Sequence, residues 1–270
     1  MRPLILLLTC CLLLPASAHK ARAGSVAYTK TWIRQVVTHV VTVNLNDPKV
    51  KVSPAVARKG VGYSEGFGSI LSRLQPTAAI TGTFFCVRSL IPVGDIVIDG
   101  KLVNTECVGT AVCFTADNRV VFRDFGPSAK SYPDSHPAIV CSGPKLVVDG
   151  NVYLDPRTEG FRDGGIYRRA SRAAIGVTKW NKLLLVSVSR PVYLRKLAWI
   201  MKELGAVNAV NLDGGSSTAL YCKGRVFNHP ARRLTNVILV YDSPDVYAKV
   251  KPMLAPLSVV ATSTAPQGGG

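Results

Sequence analysis

The chain reads as an α+β protein: a mixed, hairpin-rich β-sheet with a few packed helices in a single domain. Three observations predict this. Short apolar runs recur along the chain, separated by Asp-Gly and Asn-containing turns. Two stretches carry a helical repeat of apolar residues. Each of those helices is followed at once by an apolar strand that ends in a glycine-containing motif.

The elements follow in order. Val40 to Leu45 and Val50 to Val56 alternate loosely, as half-buried strands do. Ser64 is the expected cap of a helix running to Leu74, with Ile70, Leu71 and Leu74 on one face and Pro76 just beyond its end. Ala78 to Phe85 is a continuous apolar run, the pattern of a buried strand, and it contains Thr81-Gly82-Thr83-Phe84-Phe85. Ile96-Val97-Ile98 and Lys101-Leu102-Val103 flank Asp99-Gly100. That pair favours a type I′ hairpin, whose two central residues both need φ > 0. The device recurs between Leu146 and Tyr153 at Asp149-Gly150. Longer hairpins are predicted for Ala111 to Thr115 with Arg119 to Phe122, and for Ala173 to Val177 with Leu183 to Val188. The second helix is marked by Leu194, Leu197, Ala198, Met201 and Leu204, opposite Arg195, Lys196, Lys202 and Glu203. Gly205 is a natural residue to end it. Val237 to Tyr241 is the last strand. From about Ser243 the composition shifts to Pro, Ala, Ser and Thr and closes on three glycines, so a flexible tail is expected over 244–270.

The first residues predict export. Arg2 precedes an apolar run from Leu4 to Leu14, and Pro15 stands before Ala16-Ser17-Ala18. This is a secretory signal over 1–18, too short to span a bilayer well. The mature domain is expected over 25–243, extracellular, periplasmic or at the cell surface, with no membrane span after cleavage. Five cysteines follow the signal: Cys86, Cys107, Cys113, Cys141 and Cys222. The number is odd, and export permits a bridge. Cys86 with Cys107 and Cys107 with Cys113 are both candidates. The spacings hold no zinc pattern. No cofactor is expected, and a divalent metal stays open.

The formal net charge is +17. In an exported protein this favours anionic partners, such as a phosphorylated glycan or a cell-envelope polymer. No specific nucleic-acid binding is expected, because no basic strand face carries interleaved aromatics. Walker and Rossmann glycine patterns are absent, and neither Ser216 nor Ser217 stands in a Gly-x-Ser-x-Gly elbow.

Chemistry concentrates in Asn211-Leu212-Asp213-Gly214-Gly215-Ser216-Ser217-Thr218. An apolar strand delivers one carboxylate, Asp213, to a sharp turn. Gly214 and Gly215 allow close approach, and the following N–H groups with the Ser216 and Ser217 hydroxyls suit an anion. The alternative for Asp213 alone is an Asx-type cap on its own turn. A carboxylate beside a phosphate also repels it, unless it is protonated or directed at the sugar carbon. Glu65, Asp95, Glu106, Glu159 and Asp163 are further carboxylates without a distinguishing context. Arg172 directly precedes the strand Ala173 to Val177 and can hold phosphate oxygens in a bidentate fork. Arg168 and Arg169 belong to a glycine-rich loop and are expected to face solvent. Arg233, next to Arg232, precedes the last strand and is expected to reach the same site.

These residues resemble a family. Thr81-Gly82-Thr83-Phe84-Phe85, Arg172-Ala173-Ala174-Ile175-Gly176-Val177-Thr178, the amphipathic helix ending Leu204-Gly205-Ala206, the Asp213-Gly214-Gly215-Ser216 block and Arg233 before an apolar strand occur in the order found in phosphodiester glycosidases. The resemblance runs from about Val50 to Tyr241. It implies hydrolysis between a sugar's anomeric carbon and a phosphate that is itself esterified. It assigns Asp213 to catalysis and Thr81, Gly82, Arg172, Gly214, Gly215, Ser216, Ser217 and Arg233 to substrate binding. One position departs: the family usually carries Asn where this chain has Thr81. The other reading is a non-catalytic domain that binds anionic polysaccharide.

Overall fold

The computed structural model describes residues 24–106, 109–124 and 136–256. The signal peptide, Cys107 and the two bridges proposed for it, and the chain after 256 lie outside the described residues.

Among the described residues the strands form three sheets in which all registered pairs are antiparallel. The first has the order β1 (Val26–Ile33), β2 (Val36–Asn44), β13 (Lys182–Val192), β12 (Ala170–Thr178), β14 (Ala206–Asn211), β10 (Lys145–Val148), β11 (Asn151–Val152). The second is β16 (Arg225–Asn228), β15 (Leu220–Cys222), β4 (Ala78–Thr81), β17 (Asn236–Tyr241), β3 (Lys51–Val56). The third is β6 (Lys101–Asn104), β5 (Ile96–Ile98), β9 (Ala138–Ser142), β7 (Thr110–Phe114), β8 (Val120–Arg123). The class is α+β, as the sequence predicts, but three antiparallel sheets replace the single mixed one.

Two helices explain the strand order. α1 (Phe67–Leu74) joins β3 to β4, and α3 (Leu194–Glu203) joins β13 to β14. Within each unit the two joined strands run the same way, which requires a crossover helix. One antiparallel strand, β17 or β12, is inserted between them. The main core lies between the sheets, where Val41, Ile175, Leu185 and Val210 of the first meet Ile80, Leu220 and Ile238 of the second and Val112 and Val140 of the third. Alternation along β12 sends Ala173 and Ile175 to this core and Ala174 to the opposite face. There α3 packs Leu197 and Met201 on Ala174 and Ala209. α1 and α4 (Pro244–Val250) cover the second sheet with Phe67, Ile70, Leu74 and Val250. Each such side chain, once buried, contributes about 1.5–3 kcal/mol.

The predicted turns take the required conformation: Asp99 and Gly100 have φ 53° and 72°, Asp149 and Gly150 48° and 75°. Three expectations need correction. Ser64 does not cap α1; Gly66 stands at the N-cap without a side-chain bond. The cause is a bridge in which Glu65 and Leu234 exchange both backbone hydrogen bonds, which holds the chain extended to that point. The apolar run from Ala78 stops being a strand at Thr81, because the Asn236 side chain then takes over the backbone of Thr83. The domain does not end at 243. Ser243 caps α4 by accepting from the Val246 N–H, and Val250 and Leu254 are buried. Arg168 and Arg169 are exposed and outside any helix or strand, as expected, while α2 (Gly164–Tyr167) forms one short turn of helix just before them.

Candidate active site

Register brings the two marked groups together. Ala174 pairs with Asn211 across β12 and β14, and the Leu212 N–H still reaches Ala173 O at 2.9 Å. Two residues on, where the ladder opens, Arg172 and Asp213 fall opposite each other. The Asp213 N–H turns the other way and donates to Gly82 O at 3.0 Å. The ends of β14 and β4, strands of different sheets, therefore meet at this carboxylate. Close approach explains the glycines. A Cβ at Gly214 would lie 2.8 Å from Ser171 O, and Gly215 sits at φ 57° in the left-handed region.

A cleft of about 590 Å³ opens over Asp213, within the usual size of small-molecule sites. One wall is the segment after β4, with Phe84, Phe85, Cys86 and Val87. The other is the α2 segment, with Phe161, Arg162, Asp163 and Ile166. Of the residues expected from sequence, Arg172, Asp213, Gly214, Gly215 and Ser216 line it. Thr81 and Ser217 are buried off it; Thr81 pairs with Val237 inside the second sheet. Gly82 holds Asp213 through its carbonyl. Arg233 is not on the cleft: its Nη2 donates to Ser64 O at 3.0 Å. The neighbouring Arg232 lines the cleft instead, its guanidinium 4.6 Å above the centre of the Phe85 ring.

Arg172 is only 3% exposed. Its Nε donates to Val192 O and its Nη2 to the carbonyls of Gly165, Ile166 and Arg168. The side chain thus ties α2 to β12. Among the described residues it forms no ion pair, and burial lowers its pKa. A buried cation without a counter-ion is costly, and an anion in the cleft would offset that cost.

Burial pushes the Asp213 carboxyl up to about 6, against the pull of the Ser217 hydroxyl, the Gly214 N–H and the Arg232 charge. The Gly214 N–H donates to Oδ1 at 2.8 Å. Ser217 Oγ is buried beneath and bears on the carboxyl without a hydrogen bond of regular geometry. Of the other carboxylates, Asp163 lines the cleft and accepts from the Gly165 N–H. Glu159 is not on the cleft; it takes the Lys145 N–H on both oxygens and is raised to about 7 by burial. Glu65 is bound to Arg73 at 2.6 Å and is structural. Asp95 accepts from the Glu106 N–H. The described residues contain no group of three or more His, Cys, Asp or Glu side chains able to hold a metal.

Three features escaped the sequence reading. Arg232 is one. Asn236 is another: it clamps Thr83 from both sides, and a Cβ on Gly82 would lie 1.9 Å from its Oδ1. A polar residue opening an otherwise apolar strand is the signal the sequence offers for it. Cys86 is the third, an exposed thiol on the cleft lowered to about 7, chiefly by a hydrogen bond from Ser89.

The phosphodiester glycosidase family matches residues 75–241, well over half of the chain and all of the strand ends that meet at Asp213. The chain belongs to this family. Solved structures share the fold. A protein from Synechocystis superposes with a TM-score of 0.70 at 18% identity, over 80% of this chain and 61% of its own. The catalytic domain of zebrafish N-acetylglucosamine-1-phosphodiester alpha-N-acetylglucosaminidase, auto-inhibited by its pro-peptide, gives 0.66 at 19% identity, over 80% of this chain and 82% of its own. The chain therefore spans about three fifths of the Synechocystis protein. No curated protein sequence matches it. Within the family match lie the Thr81-Gly82 motif, Arg172, the Asp213 turn and both Arg232 and Arg233.

Proposed function

We propose that this phosphodiester glycosidase is an exported hydrolase that cleaves a sugar-1-phosphodiester in a phosphate-linked glycan. The observation that carries the reading is Asp213 opposite Arg172 at the floor of one cleft. A phosphomonoester is a good leaving group and needs little help from an acid. The cations answer the charge that develops on its oxygen, so Arg232 and the remaining donors of Arg172 face the phosphate, with Ser216 beside them. Asp213 then works ionised, on the sugar side, as nucleophile or as the base for attacking water. Water's oxygen joins the anomeric carbon, the carbon–oxygen bond to phosphate breaks, and its electron pair leaves with the phosphate. A free sugar and a phosphomonoester result. Thr81 and Ser217 support the floor from below, and Gly82 fixes Asp213 through its backbone. The zebrafish relative is named for this bond in N-acetylglucosamine-1-phosphodiesters, which makes such a compound the first substrate to try.

Hydrolysis in heavy-oxygen water tests the bond assignment. Label in the sugar is the expected result; label in the phosphate means attack at phosphorus and refutes it. Tight retention of anionic polysaccharide with no product would instead establish a binding domain.

A further inference from the structure

Exposed apolar side chains gather on one lip of the cleft. The segment after β4 turns back on itself: the Leu90 N–H donates to Cys86 O at 2.7 Å and the Cys86 N–H to Ile91 O at 2.9 Å. Its tip presents Val87, 63% exposed, and Ile91, 38% exposed. The 60–63 segment approaches this loop, since a Cβ at Gly62 would lie 3.8 Å from Ser89 O, and the next residue, Tyr63, is 50% exposed. A tied loop that holds aliphatic side chains out in water marks a surface that something covers.

The lip is also cationic. Between 56 and 94 the one carboxylate is Glu65, which Arg73 holds at 2.6 Å. Lys59 lies 5.8 Å over the Tyr63 ring, and Arg88 is exposed on the tip with no ion pair among the described residues. Arg162 and Arg232 add charge inside the cleft, and the whole chain carries +17. Aliphatic tips with a tyrosine and flanking Lys and Arg match the boundary of a bilayer with acidic headgroups. A polysaccharide surface would call for flat aromatic faces, which Val87 and Ile91 lack.

We propose that this lip docks on an anionic lipid bilayer. Val87, Ile91 and Tyr63 reach the acyl boundary, and the cleft mouth faces the headgroups. The substrate is then a lipid-linked sugar phosphodiester presented at a membrane surface. The substrate part rests on the reading of the cleft given above; the docking does not.

The test is co-sedimentation of the full chain with vesicles of phosphatidylcholine, alone or with phosphatidylglycerol. Neither Tyr63 nor Ile91 lines the cleft, so the double variant Tyr63→Ser/Ile91→Ser isolates the lip from the apolar N-terminal run, with folding checked by thermal melting. The wild type is expected to bind the anionic vesicles far better than the neutral ones. The double variant should lose about tenfold or more of that binding. Asp213→Asn should bind vesicles like the wild type, so failure of the catalytic reading and failure of docking are read separately. Equal binding by the wild type and the double variant overturns the proposal. So does no retention on anionic vesicles, or release from them by a soluble anionic polysaccharide that the lip prefers.

Discussion

Asp213 is a carboxyl whose folded environment raises its pKa to about 6, chiefly by burial. If it works ionised, kcat/KM rises about tenfold per pH unit below that value and levels above it. A profile that falls above pH 6 would make it an acid instead. The same titration fixes a sign for stability. The folded state holds the proton more tightly than the unfolded state, so stability falls as pH rises from about 4 to about 6 and is level beyond. Asp213→Asn escapes that loss. It should be more stable than the wild type by roughly 1–3 kcal/mol at pH 7 and equal to it below pH 4, as read by urea unfolding at both. The two adjacent arginines separate in a second experiment. Arg232→Ala should lower kcat/KM by about 10- to 100-fold, and Arg233→Ala should leave it within about threefold. The sequence reading singles out Arg233, whereas Arg232 is the member on the cleft. They precede β17 in irregular chain, where no period of two fixes which side chain turns inward.

At the scale of elements, the site is made by strand ends. β12 and β14 were legible from their apolar runs, and once they pair, Arg172 and Asp213 meet by register alone. β4 was legible too, but its end was not, because a single side chain from another strand stops it. Asn236 approaches so closely that Gly82 has no room for a methyl group. Gly82→Ala should cost about 2–4 kcal/mol, seen as a fall in melting temperature, and should reduce turnover because Gly82 O holds the Asp213 N–H. An unchanged melting temperature would mean the clamp gives way easily. β1 and the β15–β16 hairpin were missed for local reasons. Arg34-Gln35 makes a left-handed turn at φ 49° and 62° without the usual Asn or Gly, and Lys223-Gly224 offers half of that signal. α2 is too short to show a period.

For the molecule as a whole, composition and turn chemistry sufficed for the class, but not for the division into three sheets. Each sheet is antiparallel, and nothing in a strand's own sequence says which distant strand it pairs with. The two helices gave the best long-range clue, since each had to carry the chain across an inserted strand to the same end of the core. Charge acts at this scale too. With +17 overall and arginines at the cleft, kcat/KM for an anionic substrate should fall steadily as salt rises. A flat response would confine the useful charge to the cleft floor.

The central claim is that one carboxylate, held where two sheets meet, drives cleavage. Its most direct test is single-turnover hydrolysis of an N-acetylglucosamine-1-phosphodiester by the wild type and by Asp213→Asn at pH 7, with melting curves for both. The account predicts a folded variant slowed by about a thousandfold or more. A folded variant that turns over at the wild-type rate would contradict it.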